Sequence, residues 1–166
     1  MNRTPEIAVR NAHPSDAERI AEYNRLLALE SEDKLLDANT LAAGVRRGLS
    51  HPELCRYFIA TAGGKPVGTT MVTFELTDWR DGVLWWLQSV YVEPEFRRFG
   101  VFRAIYRFIE SEARRHGEVR GLRLYVHREN QRAMRVYENV GMHKADYEVY
   151  EHDWSGAVRP ADDHQA

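Results

Sequence analysis

The chain has 166 residues, a length that corresponds to one domain with a single hydrophobic core. Hydrophobic residues make up 43% of it and charged residues 29%, which excludes collagen-like, low-complexity and fully disordered proteins. The formal net charge of −2 gives no general basic field for a polyanion, so we expect no nucleic-acid partner.

Motifs for metal binding, secretion and membrane insertion are missing from the sequence. Cys55 is the single cysteine, which excludes an internal disulfide and a cysteine zinc site, and the histidines have no metal-ligand spacing. Residues 1–10 lack the apolar run of a signal peptide, and no stretch approaches the about 20 apolar residues that cross a bilayer. We therefore expect a cytoplasmic protein with no metal and no membrane partner.

Periodicity and turn residues predict the elements along the chain. Helices are indicated by apolar residues three and four apart, and strands by alternating or β-branched runs between turns. A capping-box pattern from Ser15 to Glu18 opens the first helix, and Gly117 and Gly141 end the last two. The predicted ranges are strand 7–10, helix 15–29, loop 30–37, helix 41–49, strands 56–61, 67–76 and 83–92, helix 99–116, strand 122–126, helix 130–140 and strand 142–153.

This order of elements predicts a mixed α/β (α+β) sheet. Strand 83–92 has the longest strand pattern, so we expect it at the centre of the sheet. One domain spans residues 1–154, and residues 155–166 are expected to form a loose tail.

The turn between strand 83–92 and the next helix has the features of an anion site. Unpaired N–H groups at a helix start attract phosphate, and Gly100 lets an anion approach the backbone closely. Arg97, Arg98 and Arg103 surround the turn. The residues alone leave a second interpretation open, in which Gly100 only relieves packing and the arginines are solvated.

Two motifs resemble those of a known family, the GNAT superfamily of N-acetyltransferases. The run from Arg97 to Phe102 resembles its acyl-CoA-binding motif, Arg/Gln-x-x-Gly-x-Gly/Ala, although the family usually has Gly or Ala at the position of Phe102. The family's later strand–helix motif is matched by Leu122-Arg123-Leu124-Tyr125-Val126 and by Asn130, Ala133, Val136, Tyr137, Gly141 and Met142. The resemblance covers residues 7–153.

The resemblance implies a mostly antiparallel sheet that is splayed between strands 83–92 and 122–126 and flanked by about four helices. Acetyl-CoA would enter the opening, with its pantetheine arm paired to the backbone of Val90, Tyr91 and Val92. A bulge there would point an N–H at the thioester carbonyl. The residues implied to hold the pyrophosphate are Arg97, Arg98, Phe99, Gly100, Val101, Phe102 and Arg103.

Two side chains of the second motif acquire roles from the resemblance. Asn130 matches the asparagine that supports the cofactor arm, and an N-cap of the following helix explains it equally well. Tyr137 matches the tyrosine that the family places beside the CoA sulfur, where a phenol can donate a proton to the departing thiolate. Its spacing alone would make Tyr137 a core residue.

The sequence does not fix which group removes the proton of the acceptor amine. Strand 83–92 contains no carboxylate, so the candidates are a water chain, Glu75, Glu30 or Glu32. The residues alone favour a solvated charge for each of these carboxylates.

An acidic and aromatic mixture around the third and fourth strands suits a cationic acceptor. Its members are Glu75, Asp78, Asp81, Trp79, Trp85 and Trp86. Alternatively the tryptophans fill the core and the acids belong to a turn.

The resemblance therefore implies an acetyl-CoA-dependent N-acetyltransferase that acts directly on a primary amine of a small molecule. The alternatives are a protein or peptide N-acetyltransferase and a catalytically silent acyl-CoA-binding domain. A homodimer is expected from family habit and from Tyr147 and Tyr150 of the last predicted strand.

Overall fold

The computed structural model describes residues 5–155 and 158–160. Its helices and strands follow the predicted order closely. In chain order they are β1 (Ile7–Asn11), α1 (Ala17–Glu32), β2 (Lys34–Leu36), α2 (Ala38–Ser50), β3 (Cys55–Ala62), β4 (Lys65–Thr77), β5 (Gly82–Val92), α3 (Val101–Arg115), β6 (Val119–Leu124), α4 (Gln131–Glu138) and β7 (Val158–Pro160).

The main sheet has five strands in the order β1-β3-β4-β5-β6. All neighbours in it are antiparallel except β5 and β6, which are parallel. The last pair of the parallel ladder is Leu87 with Leu124, yet β5 continues to Val92. The two strands therefore separate beyond this pair, and the predicted mixed, mostly antiparallel and splayed sheet is confirmed.

Two apolar clusters hold helices against opposite faces of this sheet. On one face, Ile105 and Ile109 of α3 are fully buried against residues of β3, β4 and β5. On the other, Ile20 of α1 and Val45 of α2 pack on Ile59 of β3. Burying an aliphatic side chain of this size stabilises the fold by about 1.5–3 kcal/mol, so these contacts fix the helices that border the opening.

The segment 30–37 differs from the predicted loop. Helix α1 continues to Glu32 and ends at Asp33, whose φ of 51° is left-handed. Residues 34–36 then form β2, which pairs antiparallel with β7. A pairing between such distant segments leaves no local signal in the sequence. Strand β7 lies inside the predicted loose tail, whose residues 156–157 and 161–166 lie outside the described part of the chain.

The predicted strand over 142–153 is wrong, because residues 142–155 contain no strand in the structure. Several large side chains of this segment are exposed. An alternating pattern predicts a strand only where a partner strand is available, and none pairs with this segment among the described residues. The exposed side chains are Tyr147, Val149, Tyr150 and Trp154.

The cap lies two residues earlier than the sequence predicts, at His13, and closes a short 3-10 turn (Pro14–Asp16) that leads into α1. The His13 ring accepts a hydrogen bond from the backbone N–H of Ser15, and the carboxylate of Asp16 accepts one from the backbone N–H of His13 at 2.7 Å. Arg10 adds a two-pronged bond to Asp16, with distances of 2.7 and 2.9 Å. The hydrogen bond from Arg10 lowers the pKa of the buried Asp16 carboxyl.

We expect Asp16→Asn to lower the free energy of unfolding by about 1.5 kcal/mol at pH 7, since Arg10 is half exposed and the pair is partly screened. The pKa of Asp16 is lower in the folded than in the unfolded protein. Its contribution to the free energy of unfolding is therefore complete above the unfolded pKa of ~3.9 and is lost as pH falls through the folded pKa. Urea unfolding of both proteins at pH 7 and at pH 3 measures this. A difference that persists undiminished at pH 3 would contradict it.

Candidate active site

A cleft of about 1170 Å³ opens where β5 and β6 separate. The end of β5, the start of α3 and the helix α4 form its walls. The end of α1, from Leu27 to Asp33, borders it as well. The cleft thus brings together both sequence motifs and the segment that joins α1 to β2.

A β-bulge lies in β5 at the mouth of this cleft. Thr69 pairs with Tyr91 and Met71 with Gln88, so one residue of β4 faces two of β5. Within the bulge, Ser89 has a left-handed φ of 51°. The hydroxyl of Thr70 donates a hydrogen bond of 2.9 Å to the carbonyl of Gln88 and fixes the distortion. Beyond Leu87, β5 has a strand partner on its β4 side only, which leaves its other edge facing the cleft.

The loop before α3 has free backbone donors. Gly100 is its last residue, has a left-handed φ of 78° and gives the helix no side-chain cap. The N–H groups of Gly100, Val101, Phe102 and Arg103 donate to no acceptor within the described residues. Such a set of N–H groups at the positive end of a helix binds an anion, so the loop fits a pyrophosphate. We call residues 97–103 the anion loop.

The three arginines around this loop are in different situations. Arg97 is already paired: its Nε donates to the carbonyl of Val92 at 2.8 Å, its Nη2 pairs with Glu30, and its guanidinium lies 5.6 Å from the Tyr91 ring centre. Arg98 and Arg103 are exposed and form no ion pair within the described residues. These two are therefore the charges that remain available for phosphate.

Helix α1 is anchored to β5 by two tyrosines. The Tyr23 hydroxyl donates to Glu93 at 2.7 Å, and its ring lies 5.1 Å from that of Tyr91. Tyr91 donates in turn to Glu30 at 3.1 Å. Burial raises the pKa of Tyr91 to about 12, so its hydroxyl remains a donor at neutral pH.

Gly68 allows β4, β5 and α3 to approach one another at this place. A Cβ on Gly68 would lie 2.8 Å from the carbonyl oxygen of Tyr91 and 3.3 Å from Val101. We expect Gly68→Ala to lower the free energy of unfolding by about 2 kcal/mol, because both neighbours are backbone or buried. Chemical unfolding tests this, with Gly44→Ala as control.

Gly44 lies within α2, where an added Cβ meets nothing within 4 Å. That control should be stabilised by about 0.5–1 kcal/mol. Equal effects of the two substitutions would contradict the steric argument.

Tyr137 of α4 lines the cleft and is half buried. Its ring packs edge-on against Phe102 with centres 5.2 Å apart, and its hydroxyl makes no hydrogen bond within the described part of the chain. Burial raises the pKa of Tyr137, which keeps the phenol protonated. Phe102 is itself buried, and its ring is held against that of Tyr137.

Asn130 serves as the N-cap of α4. Its side-chain oxygen accepts the backbone N–H of Ala133 at 3.0 Å. One of its two predicted roles is thereby confirmed. Its side chain also lines the cleft, so a contact with the cofactor arm stays a prediction.

Glu75 is not among the residues that line the cleft. Its carboxylate accepts hydrogen bonds from the indole of Trp86 and, at 3.2 Å, from Arg123. Trp85 is buried in the core beneath α3, whereas Trp79 is exposed on a turn. The acidic and aromatic mixture predicted from the sequence is therefore dispersed and forms no single pocket.

Glu30 and Glu32 both line the cleft. Each already has a cationic partner, Arg97 for Glu30 and Lys34 for Glu32, the latter at 2.6 Å. Of the carboxylates named from the sequence as bases, these two line the cleft and Glu75 does not.

One connection across the cleft has no counterpart in the sequence analysis. The hydroxyl of Tyr125, just after β6, donates a 3.3 Å hydrogen bond to the side-chain oxygen of Gln88 on β5. Only knowledge of the parallel register of β5 and β6 would place these two residues side by side.

The described residues contain neither a membrane-spanning helix nor a metal-binding cluster. No helix among them is both long and apolar enough to cross a membrane. In the same residues, no group of three or more histidine, cysteine or acidic side chains is arranged to hold a metal ion.

Comparison with known proteins agrees with this geometry. Residues 18–142 match the model of the acetyltransferase (GNAT) family. No curated protein matches the chain.

Among solved structures, a possible acetyltransferase from Clostridium difficile 630 is 38% identical, with a TM-score of 0.81 over 89% of this chain and 97% of that one. Aminoglycoside N-acetyltransferase AAC(6')-Iy in complex with CoA is 16% identical, with a TM-score of 0.76 over 93% and 99%. A ribosomal-protein-alanine N-acetyltransferase from Brucella melitensis biovar Abortus 2308 is 17% identical, with a TM-score of 0.71 over 90% and 99%. The chain belongs to the GNAT family and is an acetyl-CoA-dependent acetyltransferase.

Proposed function

We propose that the chain transfers the acetyl group of acetyl-CoA to a primary amine of a small molecule, by direct attack within a ternary complex. The observation that carries this proposal is that one cleft brings together an open strand edge, a buried phenol and helix N–H groups with no acceptor among the described residues. The end of α1 borders the cleft as a further wall, which supports a small acceptor in place of a peptide lying in an open groove.

The anion loop would bind the pyrophosphate of acetyl-CoA through the backbone of residues 97–103. Val90, Tyr91 and Val92 would pair with the pantetheine arm along the open edge of β5. Acetyl-CoA supplies the acyl group already activated as a thioester. A backbone N–H at the bulge would hold the thioester oxygen as it becomes negative, a contribution typically worth ~3 kcal/mol of barrier.

Tyr137 would complete the transfer as a general acid. The amine nitrogen forms a bond to the acyl carbon, the carbon–sulfur bond breaks, and the phenol gives its proton to the departing sulfur. The extra proton on the nitrogen leaves to solvent, and the phenolate takes a proton back from solvent, which restores the phenol. The products are an amide and the free thiol of CoA.

The acceptor also has to lose a proton before it can attack. An amine with a pKa near ~10.4 is neutral in only about one molecule in 2,500 at pH 7. Glu75, our first candidate for the base, lies outside the cleft with hydrogen bonds on both carboxylate oxygens. We therefore propose that water in the cleft, next to Glu30 and Glu32, carries this proton away.

Release of free thiol from acetyl-CoA tests the proposal directly. Polyamines, aminoglycosides, amino acids and peptides are offered separately as acceptors. Turnover with one class of small amines supports the proposal. Turnover with peptides alone would identify a protein acetyltransferase, and tight CoA binding without any turnover would favour a silent binding domain.

We also propose that the protein forms a homodimer through the segment 142–155. Tyr147, Tyr150 and Trp154 are exposed to 70, 91 and 85%, which is costly for a free monomer. Sedimentation of the parent and of a Tyr150→Ser/Trp154→Ser variant tests this. A parent protein that sediments as a monomer at all concentrations contradicts it.

A further inference from the structure

The inner end of the cleft is closed by a side-chain bridge. Backbone pairing between β5 and β6 stops at Leu87 and Leu124. At the next position of each strand, the Tyr125 hydroxyl reaches across to the side-chain oxygen of Gln88 at 3.3 Å. The bridge thus continues the contact between the strands by one residue after the ladder has ended.

Both ends of this bridge are held in place by other residues. The amide nitrogen of Gln88 donates to the hydroxyl of Thr73 on β4 at 2.6 Å. The ring of Tyr125 lies 5.7 Å from that of Trp86. Two hydrogen bonds and a ring contact hold this side-chain pair more firmly than one hydrogen bond alone, although Tyr125 itself is 59% exposed.

The opposite side of the same inner end is apolar. Side chains alternate along a strand, so Leu87 and Leu124 face α3 while Gln88 and Tyr125 face the other side of the sheet. All four residues line the cleft. The inner end is therefore a small space with two leucines on one side and the bridge on the other.

The proposed cofactor arm would run toward this inner end of the cleft. The arm would run from the anion loop along Val92 to Val90 and bring the thioester to the bulge at Ser89. Gln88 is the next residue, so an acyl chain that extends beyond the thioester meets the bridge almost at once.

We propose that the Gln88–Tyr125 bridge is the end wall of the acyl-binding space and restricts the donor to short acyl groups. This inference rests on the proposed function, because it takes the thioester to lie at the bulge. One methylene too many in a closed pocket changes specificity by roughly 10–200-fold, so the wall would separate acetyl from butyryl groups.

Equilibrium binding of CoA, acetyl-CoA, butyryl-CoA and hexanoyl-CoA tests the wall without any acceptor. For the parent protein we expect the Kd of butyryl-CoA to exceed that of acetyl-CoA at least tenfold. Tyr125→Ala should reduce this ratio about tenfold, because the ring that closes the space is gone. Tyr125→Phe keeps the ring and loses only the hydrogen bond, so its ratio should change less than threefold.

Leu76→Ala is the control, since Leu76 is 79% exposed and lies outside the cleft. An unchanged ratio in that variant, together with the shift in Tyr125→Ala, supports the wall. Equal affinities for all acyl chains in the parent, or no shift in a folded Tyr125→Ala, overturn it. Failure of the parent to bind CoA at all counts against the proposed function instead, so the two failures are distinguishable.

Discussion

Tyr137→Phe is expected to lower kcat by about a hundredfold or more while the Kd for CoA stays the same. The substitution removes only the hydroxyl, and the ring can keep its edge-on contact with Phe102. The phenol oxygen has no hydrogen-bond partner within the described residues, so its loss costs the fold little. Steady-state thiol release and equilibrium binding of CoA, measured on the same preparation, separate the two quantities.

The pH dependence gives a second readout of the same residue. Burial raises the pKa of Tyr137, so the proton donor is present at neutral pH and is lost only as pH rises through that elevated value. We expect the kcat of the parent to show no decline attributable to Tyr137 up to about pH 10, the usual pKa of a phenol. Tyr137→Phe should be slow over the whole range.

Tyr106→Phe is the matched control for this experiment. Tyr106 is also buried and also contacts Phe102, with ring centres 6.2 Å apart, but it does not line the cleft. It should keep the parent's kcat. Equal kcat values for Tyr137→Phe and the parent would remove the general acid from the mechanism.

The sequence was informative where a signal is local. Apolar spacing predicted α1 and α3, and the strand patterns over 56–61 and 67–76 predicted β3 and β4, which are joined by a turn with positive φ at Gly63 and Gly64. The anion loop was predicted from Gly100 and its flanking arginines for the same reason. Each of these features depends on residues within a few positions of one another.

Features that depend on distant pairing could not be predicted. Strand β2 exists because β7 lies beside it, and the bridge from Tyr125 to Gln88 depends on the register of two parallel strands. Glu75 was a candidate base because the sequence does not give the distance along β4 between its side chain and the cleft. In the sequence Arg97 is indistinguishable from Arg98 and Arg103. Its ion pair with Glu30 could not be predicted, because Glu30 is 67 positions away.

The last prediction separates those arginines by function. Arg98 and Arg103 are exposed beside the free N–H groups of the anion loop, and Arg97 is already bound to Glu30 and to the carbonyl of Val92. We expect Arg98→Glu/Arg103→Glu to weaken CoA binding about a hundredfold at low salt, because two attractive charges become repulsive toward the phosphates. The free energy of unfolding should change little.

Salt distinguishes this effect from a damaged loop. Screening shortens the range of charges to about 3 Å at 1 M ionic strength, so the difference in Kd between variant and parent should shrink markedly there. A hundredfold difference that is independent of salt would indicate a distorted loop instead of a lost charge.

Arg97→Ala should behave in the opposite way. Its loss leaves Glu30 and the carbonyl of Val92 without their donor, so the free energy of unfolding should fall by about 1.5 kcal/mol, with only a several-fold change in the Kd for CoA. Urea unfolding and calorimetric binding of CoA are measured on Arg97→Ala and on Arg98→Glu/Arg103→Glu. If Arg97 fixes the end of α1 to β5, the first variant loses stability and the second loses CoA affinity. A stable Arg97→Ala protein that has lost CoA as completely as the double variant would instead show that Arg97 leaves Glu30 for the phosphates when CoA binds.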